Sequence, residues 1–174
     1  MANLLPIGKT TYVVKDIRFD NIDQNIIYAK FKDGRITGLL IEHLYDYVYR
    51  NVTRSGDEGT SYDLFVRNGN STLHYQSKVA VWRQPSDAFD LAPSYMKGKG
   101  RKYDKEQMLA IHNALDGYVL TDLSELPKLT IWTLPSPALI NCIGEKSAKV
   151  KIRDCDQLVE GLLRASTCST TQAA

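Results

Sequence analysis

Cysteine is scarce in this sequence: Cys142, Cys155 and Cys168 are the whole set, an odd number with no C-x-x-C pair. A disulfide framework and a cysteine zinc site are therefore not expected, and a reducing compartment suits the thiols. Long hydrophobic runs are missing too. No apolar stretch reaches the roughly 18 residues of a membrane span, and the first residues lack the basic start and apolar core of a signal peptide. The expectation is a soluble, cytoplasmic protein with no membrane partner. Charge of one sign is also lacking, since the formal net charge is only +2. Overall charge thus names no nucleic-acid partner, and only local clustering can. No internal repeat is visible.

What remains is an ordinary globular composition, 43% hydrophobic and 24% charged over 174 residues, enough for one domain with its own core. Residues 1–165 are expected to form it, with a small, polar, disordered tail at 166–174. Thr10–Lys15 and Asn25–Lys32 read as strands, with turn signals at Asp20-Asn21 and Asp33-Gly34. From Arg35 the period changes. Leu40, Leu44, Val48 and Val52, with Ile41 and Tyr45 beside them, form one helical stripe. Glu42 and Asp46 lie one turn apart next to that stripe, and either could look inward at a site.

The Arg83–Gly100 stretch is aperiodic and reads as a long loop. Its basic end carries Lys97, Lys99, Arg101 and Lys102, flanked by Tyr95 and Tyr103. Such residues suit contact with phosphates and stacking on bases. Asp104 with Gln107 predicts the start of a second helix through Ala114, whose apolar face holds Met108, Ile111 and Leu115. Tyr118–Thr121 and Leu129–Leu134 read as short buried strands, the second stopped by Pro135 and Pro137. Lys146, Lys149, Lys151 and Arg153 resemble a protected edge strand. Asp154 and Gln157 cap a last amphipathic helix bearing Leu158, Val159, Leu162 and Leu163.

The chemistry concentrates in Gly56–Lys78, GDEGTSYDLFVRNGNSTLHYQSK. Gly69-Asn70 is a two-residue hairpin turn signal. That turn sets a register in which Asn68 faces Ser71, Phe65 faces His74, Asp63 faces Gln76 and Ser61 faces Lys78. The two-residue period then puts Tyr62, Leu64, Val66, Leu73, Tyr75, Val79 and Val81 on one face, and Asp63, Gln76 and Lys78 on the other. One face is core; the other holds a carboxylate, an amide and an amine. Asp57 and Glu58 shape the preceding turn within reach of the site, and His74 reads as a packing residue.

A helix bearing Glu42, then a hairpin bearing Asp63 and Gln76-Ser-Lys78, then a helix and two strands, resembles the PD-(D/E)xK nuclease superfamily from Ile36 to about Leu134. Within it, GDEGTSYDLFV…LHYQSKV is similar to the Mrr-like restriction and repair nucleases. The chain has Tyr62 where the motif has proline, and Gln76 at the second acidic position, where glutamine is usual among Mrr-like members. The resemblance implies an α/β (α+β) restriction-endonuclease-like core, a central mixed sheet flanked by helices, and metal-dependent cleavage of DNA.

Asp63, Gln76 and Glu42 would then be the metal ligands, for Mg²⁺ or Mn²⁺, and Lys78 would orient the attacking water or stabilise charge at phosphorus. Asp63, Gln76, Lys78 and Glu42 are the expected catalytic set. Lys97, Lys99, Arg101, Lys102 and Tyr103 are the expected DNA contacts. A homodimer or higher homo-oligomer would allow both strands to be cut. The alternative is a DNA-binding module on the same fold with weak or no catalysis, because Gln76 lowers the anionic charge of the site.

Overall fold

The computed structural model describes residues 2–13, 37–55, 62–80, 88–97 and 100–171. The strand expected at Asn25–Lys32, together with Asp57, Glu58, Val81 and Lys99, lies outside the described residues. In chain order the elements are β1 (Gly8–Val13), α1 (Thr37–Val48), β2 (Val52–Arg54), β3 (Leu64–Asn68), β4 (Ser71–Ala80) and β5 (Ala88–Asp90). They continue with a short 3₁₀ turn (Ser94–Met96), α2 (Lys105–Asn113), β6 (Gly117–Asp122), β7 (Lys128–Pro135), a longer 3₁₀ segment (Ser136–Cys142), β8 (Lys149–Lys151) and α3 (Ile152–Thr171).

The two strand runs expected after the second helix emerge as β6 and β7. Asp104 caps α2 by accepting from the Gln107 N–H at 3.0 Å. α3 begins at Ile152, so Asp154 lies inside its first turn and does not cap it as expected, and the helix continues through Ser166 to Thr171.

Six strands form one mixed α/β sheet in the order β1-β7-β6-β4-β3-β2. Only β4 and β6 run parallel, with Gln76 beside Tyr118 and Lys78 beside Leu120. A parallel neighbour requires a crossover, and α2 lies within the connection. Gly117 makes this pairing possible, because a Cβ there would sit 2.4 Å from Tyr75 Cε1 and 2.7 Å from the Leu134 carbonyl oxygen.

Each face of the sheet carries its own core. On one, α1 buries Ile41, Leu44, Tyr45 and Val48 against Leu64, Val66, Tyr75, Val119, Leu129 and Ile131, each such side chain contributing about 1.5–3 kcal/mol. On the other, Tyr118, Leu120, Trp132 and Leu134 meet Met108 of α2 and Cys155 and Val159 of α3.

Three expectations are corrected. Val52 leaves the helical stripe and opens β2, where it pairs with Val66. The long loop is not structureless, since Ala88–Asp90 form β5 and pair with β8, Phe89 opposite Val150. Tyr62 does not share the face of Leu64. It packs with the second core and stacks on His74 at a centroid distance of 4.6 Å. The reason is that the β3–β4 ladder begins at Leu64 opposite Tyr75, so alternation does not extend back to residue 62. Among the described residues no helix is long and apolar enough to cross a membrane.

Candidate active site

The hairpin adopts the expected register from Leu64 onward, but the ladder ends there and the expected pairing of Asp63 with Gln76 is not part of it, while Ser61 lies outside the described residues. Asn68 faces Ser71, Phe65 faces His74 and Leu64 faces Tyr75, and Gly69 takes the positive φ of +59° that the tight turn demands. β4 has ten residues and β3 five. Gln76 to Ala80 therefore run on past the end of β3, paired on one side with β6. Asp63 stands where the shorter strand gives out. Its N–H donates to the Tyr75 carbonyl at 2.9 Å, and its Oδ2 accepts from the Ser77 N–H at 2.8 Å. A side-chain carboxylate thus takes over a bond that a longer β3 would have supplied from its backbone.

That splayed corner gathers groups from both sides of the sheet. Glu42 comes from α1, Asp63 from the start of the hairpin and Lys78 from β4, and their charges act on one another. Burial first, and then the neighbouring Asp63 charge, push the Glu42 carboxyl up to about 7 against the pull of Arg54 and Lys78. Burial also raises Asp63, while the Ser77 N–H and Lys78 work in the opposite sense. Lys78 is pushed down to about 8, first by burial, with Asp63 opposing the shift and Lys97 adding to it. Two half-buried carboxylates that repel each other, beside an amine with a lowered pKa, are the usual electrostatic signature of a functional cleft.

Gln76 is only 6% exposed, and its Oε1 has no hydrogen-bond partner among the described residues. An unpaired buried oxygen of this kind costs about 1–3 kcal/mol. A hard cation would satisfy such an oxygen, and in kind the carboxylates of Asp63 and Glu42 and the amide of Gln76 are donors that Mg²⁺ or Mn²⁺ takes, with several waters retained. Among the described residues no cluster of three or more His, Cys, Asp or Glu side chains forms; two carboxylates and one amide oxygen carry the fit.

The structure discriminates between candidates that the sequence left level. Glu42 is half-buried, whereas Asp46 is exposed. His74 packs between Tyr62 and Phe65, in keeping with its packing role. The basic loop divides. Arg101 and Lys102 are exposed, and Tyr103 is half-buried with an unpaired hydroxyl. Lys97 is drawn to Asp90, donating to its carbonyl at 3.2 Å and lying 3.5 Å from Oδ2. Two neighbours of the site escaped the sequence reading. Arg54 of β2 acts on Glu42, and Asp90 of β5 acts on Lys78. Both belong to three-residue strands, and Asp90 carried only the weak signal of an aspartate shortly before Pro93. Comparison with family models, curated proteins and solved structures finds no match to this chain.

Proposed function

We propose that the chain is a metal-dependent endodeoxyribonuclease that hydrolyses phosphodiester bonds in duplex or branched DNA. The carrying observation is that the charges of Glu42, Asp63 and Lys78 act on one another at the splayed corner, on the strand that also carries the unpaired, buried Gln76 oxygen. The order of elements around that corner, helix, hairpin, helix and strand, supports a restriction-endonuclease-like core of the PD-(D/E)xK type. Asp63, Glu42 and Gln76 would hold Mg²⁺ or Mn²⁺. When bound, the ion supplies polarisation of the phosphate and a more acidic water.

The chain's own residues do the remainder. Asp63 is fixed by the Ser77 N–H, so its orientation is set before substrate arrives. Lys78 donates to the phosphate oxygens or positions the attacking water, and its lowered pKa lets it exchange a proton near neutrality. Arg101 and Lys102 offer exposed contacts to the backbone beyond the scissile bond, and Lys99 and Tyr103 belong to the same run. Cutting both strands calls for two copies, so a homodimer follows from the reading.

Incubation of supercoiled plasmid and branched oligonucleotides with Mg²⁺ or Mn²⁺ tests it. Cleavage is expected, with linear product reporting paired cuts. Asp63→Ala and Lys78→Ala should each lose on the order of 100-fold or more in rate. Intact DNA across many sequences and junctions, or undiminished cutting by either variant, would refute the activity. Salt-sensitive DNA binding without cleavage would instead favour the catalytically weak DNA-binding module, the reading that the neutral Gln76 favours.

A further inference from the structure

α1 lies on the sheet by an apolar stripe in which Ile41, Leu44, Tyr45 and Val48 are all buried. That stripe decides which side of the helix faces inward. Apolar contact has no direction, however, and small rotations of the helix cost it little. A cation ligand is less tolerant, since it must be held within about 0.5 Å and 10–20° of its working geometry. A side-chain end about 5–6 Å from the helix axis moves by about 1 Å when the helix rolls by about 10°. The seat of Glu42 therefore needs something more specific than burial.

Tyr45 supplies it. Its hydroxyl is hydrogen-bonded to Thr121 Oγ1, and neither residue has any exposed surface. For burial alone phenylalanine would serve as well, and a hydroxyl taken into a core is costly unless it is bonded. The bond lands beside the site. Thr121 belongs to β6, one of the two central strands, and pairs with Val79 of β4. Two residues back along β4, on the same face, is Ser77, whose N–H holds Asp63 Oδ2 at 2.8 Å. On α1, Tyr45 follows Glu42 by three residues, so the two share one face of the helix. One directional bond thus ties the helix that carries Glu42 to the strands that hold Asp63.

We propose that Tyr45 is a positioning residue of the cation site: its bond to Thr121 fixes the roll of α1 and so seats the Glu42 carboxylate. The inference rests on the proposed function for Glu42 as a cation ligand. Tyr45 itself, buried in the core, reaches neither cation nor substrate.

Two nearly isosteric changes, alone and together, separate this role from ordinary packing. Tyr45→Phe leaves the Thr121 hydroxyl unpaired and Thr121→Val leaves that of Tyr45 unpaired, so each should lower stability in denaturant unfolding. The double variant strands neither group and should recover most of the loss. Mn²⁺ affinity of the full chain, measured by calorimetry, should behave otherwise. Each single variant should bind about tenfold more weakly, and the double variant should stay as weak, because stability returns without the bond. Thr121→Ser, which keeps a hydroxyl, should bind close to the parent. Val48→Ala, which thins the packing of the same helix, should lose stability with little change in affinity.

Affinity that follows stability across this set, or that is undiminished in the double variant, overturns the proposal and leaves the nuclease reading standing. A parent chain that takes up Mn²⁺ but cuts no DNA fails the nuclease reading alone, and the affinities still decide for or against Tyr45. A parent that takes up no Mn²⁺ overturns both.

Discussion

At the scale of single residues, Glu42 gives the site its dependence on pH. Its carboxyl is pushed up to about 7 from the ordinary 4.5, chiefly by burial and then by Asp63. Between those values the folded chain holds a proton that the unfolded chain has released. The stability this group contributes is therefore present at acid pH and lost as pH rises through about 7. A cation taken up beside Asp63 must displace the same proton. Affinity for Mg²⁺ or Mn²⁺ is thus expected to rise with pH through about 7, with proton release visible as a buffer-dependent calorimetric heat. Glu42→Gln should abolish that release. A release that persists in the variant would place the titrating group elsewhere.

At the scale of elements, the hairpin was the most legible part of the chain because its two signals are local. Gly69-Asn70 sets the turn, and alternation from Leu64 to Val79 sets the faces. Gly69→Ala meets no atom within 4 Å, so the cost is that of the backbone conformation alone, about 1 kcal/mol. Cation binding at the far end of the hairpin should be unaffected. Gly117→Ala is different in kind. The new methyl would collide with the Tyr75 ring on β4 and the Leu134 carbonyl on β7, the strands on either side of β6, and a loss of about 1–3 kcal/mol is expected. Denaturant unfolding of both variants measures the contrast. The short strands β2, β5 and β8 were hard to read for the opposite reason. Three residues carry too little pattern, and what makes Val52–Arg54 or Ala88–Asp90 a strand is the partner it finds. Glu42 was legible only as one of two carboxylates on α1, since which one turns inward depends on how the helix rolls onto the sheet.

Across the whole molecule, the sheet extends beyond the segment that carries the family resemblance. β1 pairs with β7 from Gly8 opposite Thr133 to Val13 opposite Lys128, and α3 lies over the opposite core. Asp156 ties these parts together. Its Oδ1 accepts from Trp132 Nε1 at 2.8 Å and lies 2.8 Å from Lys9 Nζ. The Lys9 pair is well exposed and contributes little, whereas Trp132 is buried, and its N–H loses its acceptor when the carboxylate is removed. Asp156→Ala is expected to cost about 1–3 kcal/mol, and Asp156→Asn, which can still accept, distinctly less. Thermal unfolding of the two variants separates the hydrogen bond from the charge. Partial burial of Asp156 acts to raise its carboxyl, but the bonds from Lys9 and Trp132 prevail and hold it below the ordinary value. The group's contribution is therefore present above that ordinary value and fades as pH falls through the lowered one.

The bond from the Ser77 N–H to Asp63 clasps the sheet with the same carboxylate that the proposed function makes a cation ligand. Its occupancy can therefore be followed without any substrate. A cation that steadies Asp63 should slow amide hydrogen exchange at Ser77, and Asp63→Ala should release that amide to exchange far sooner than its neighbours on β4.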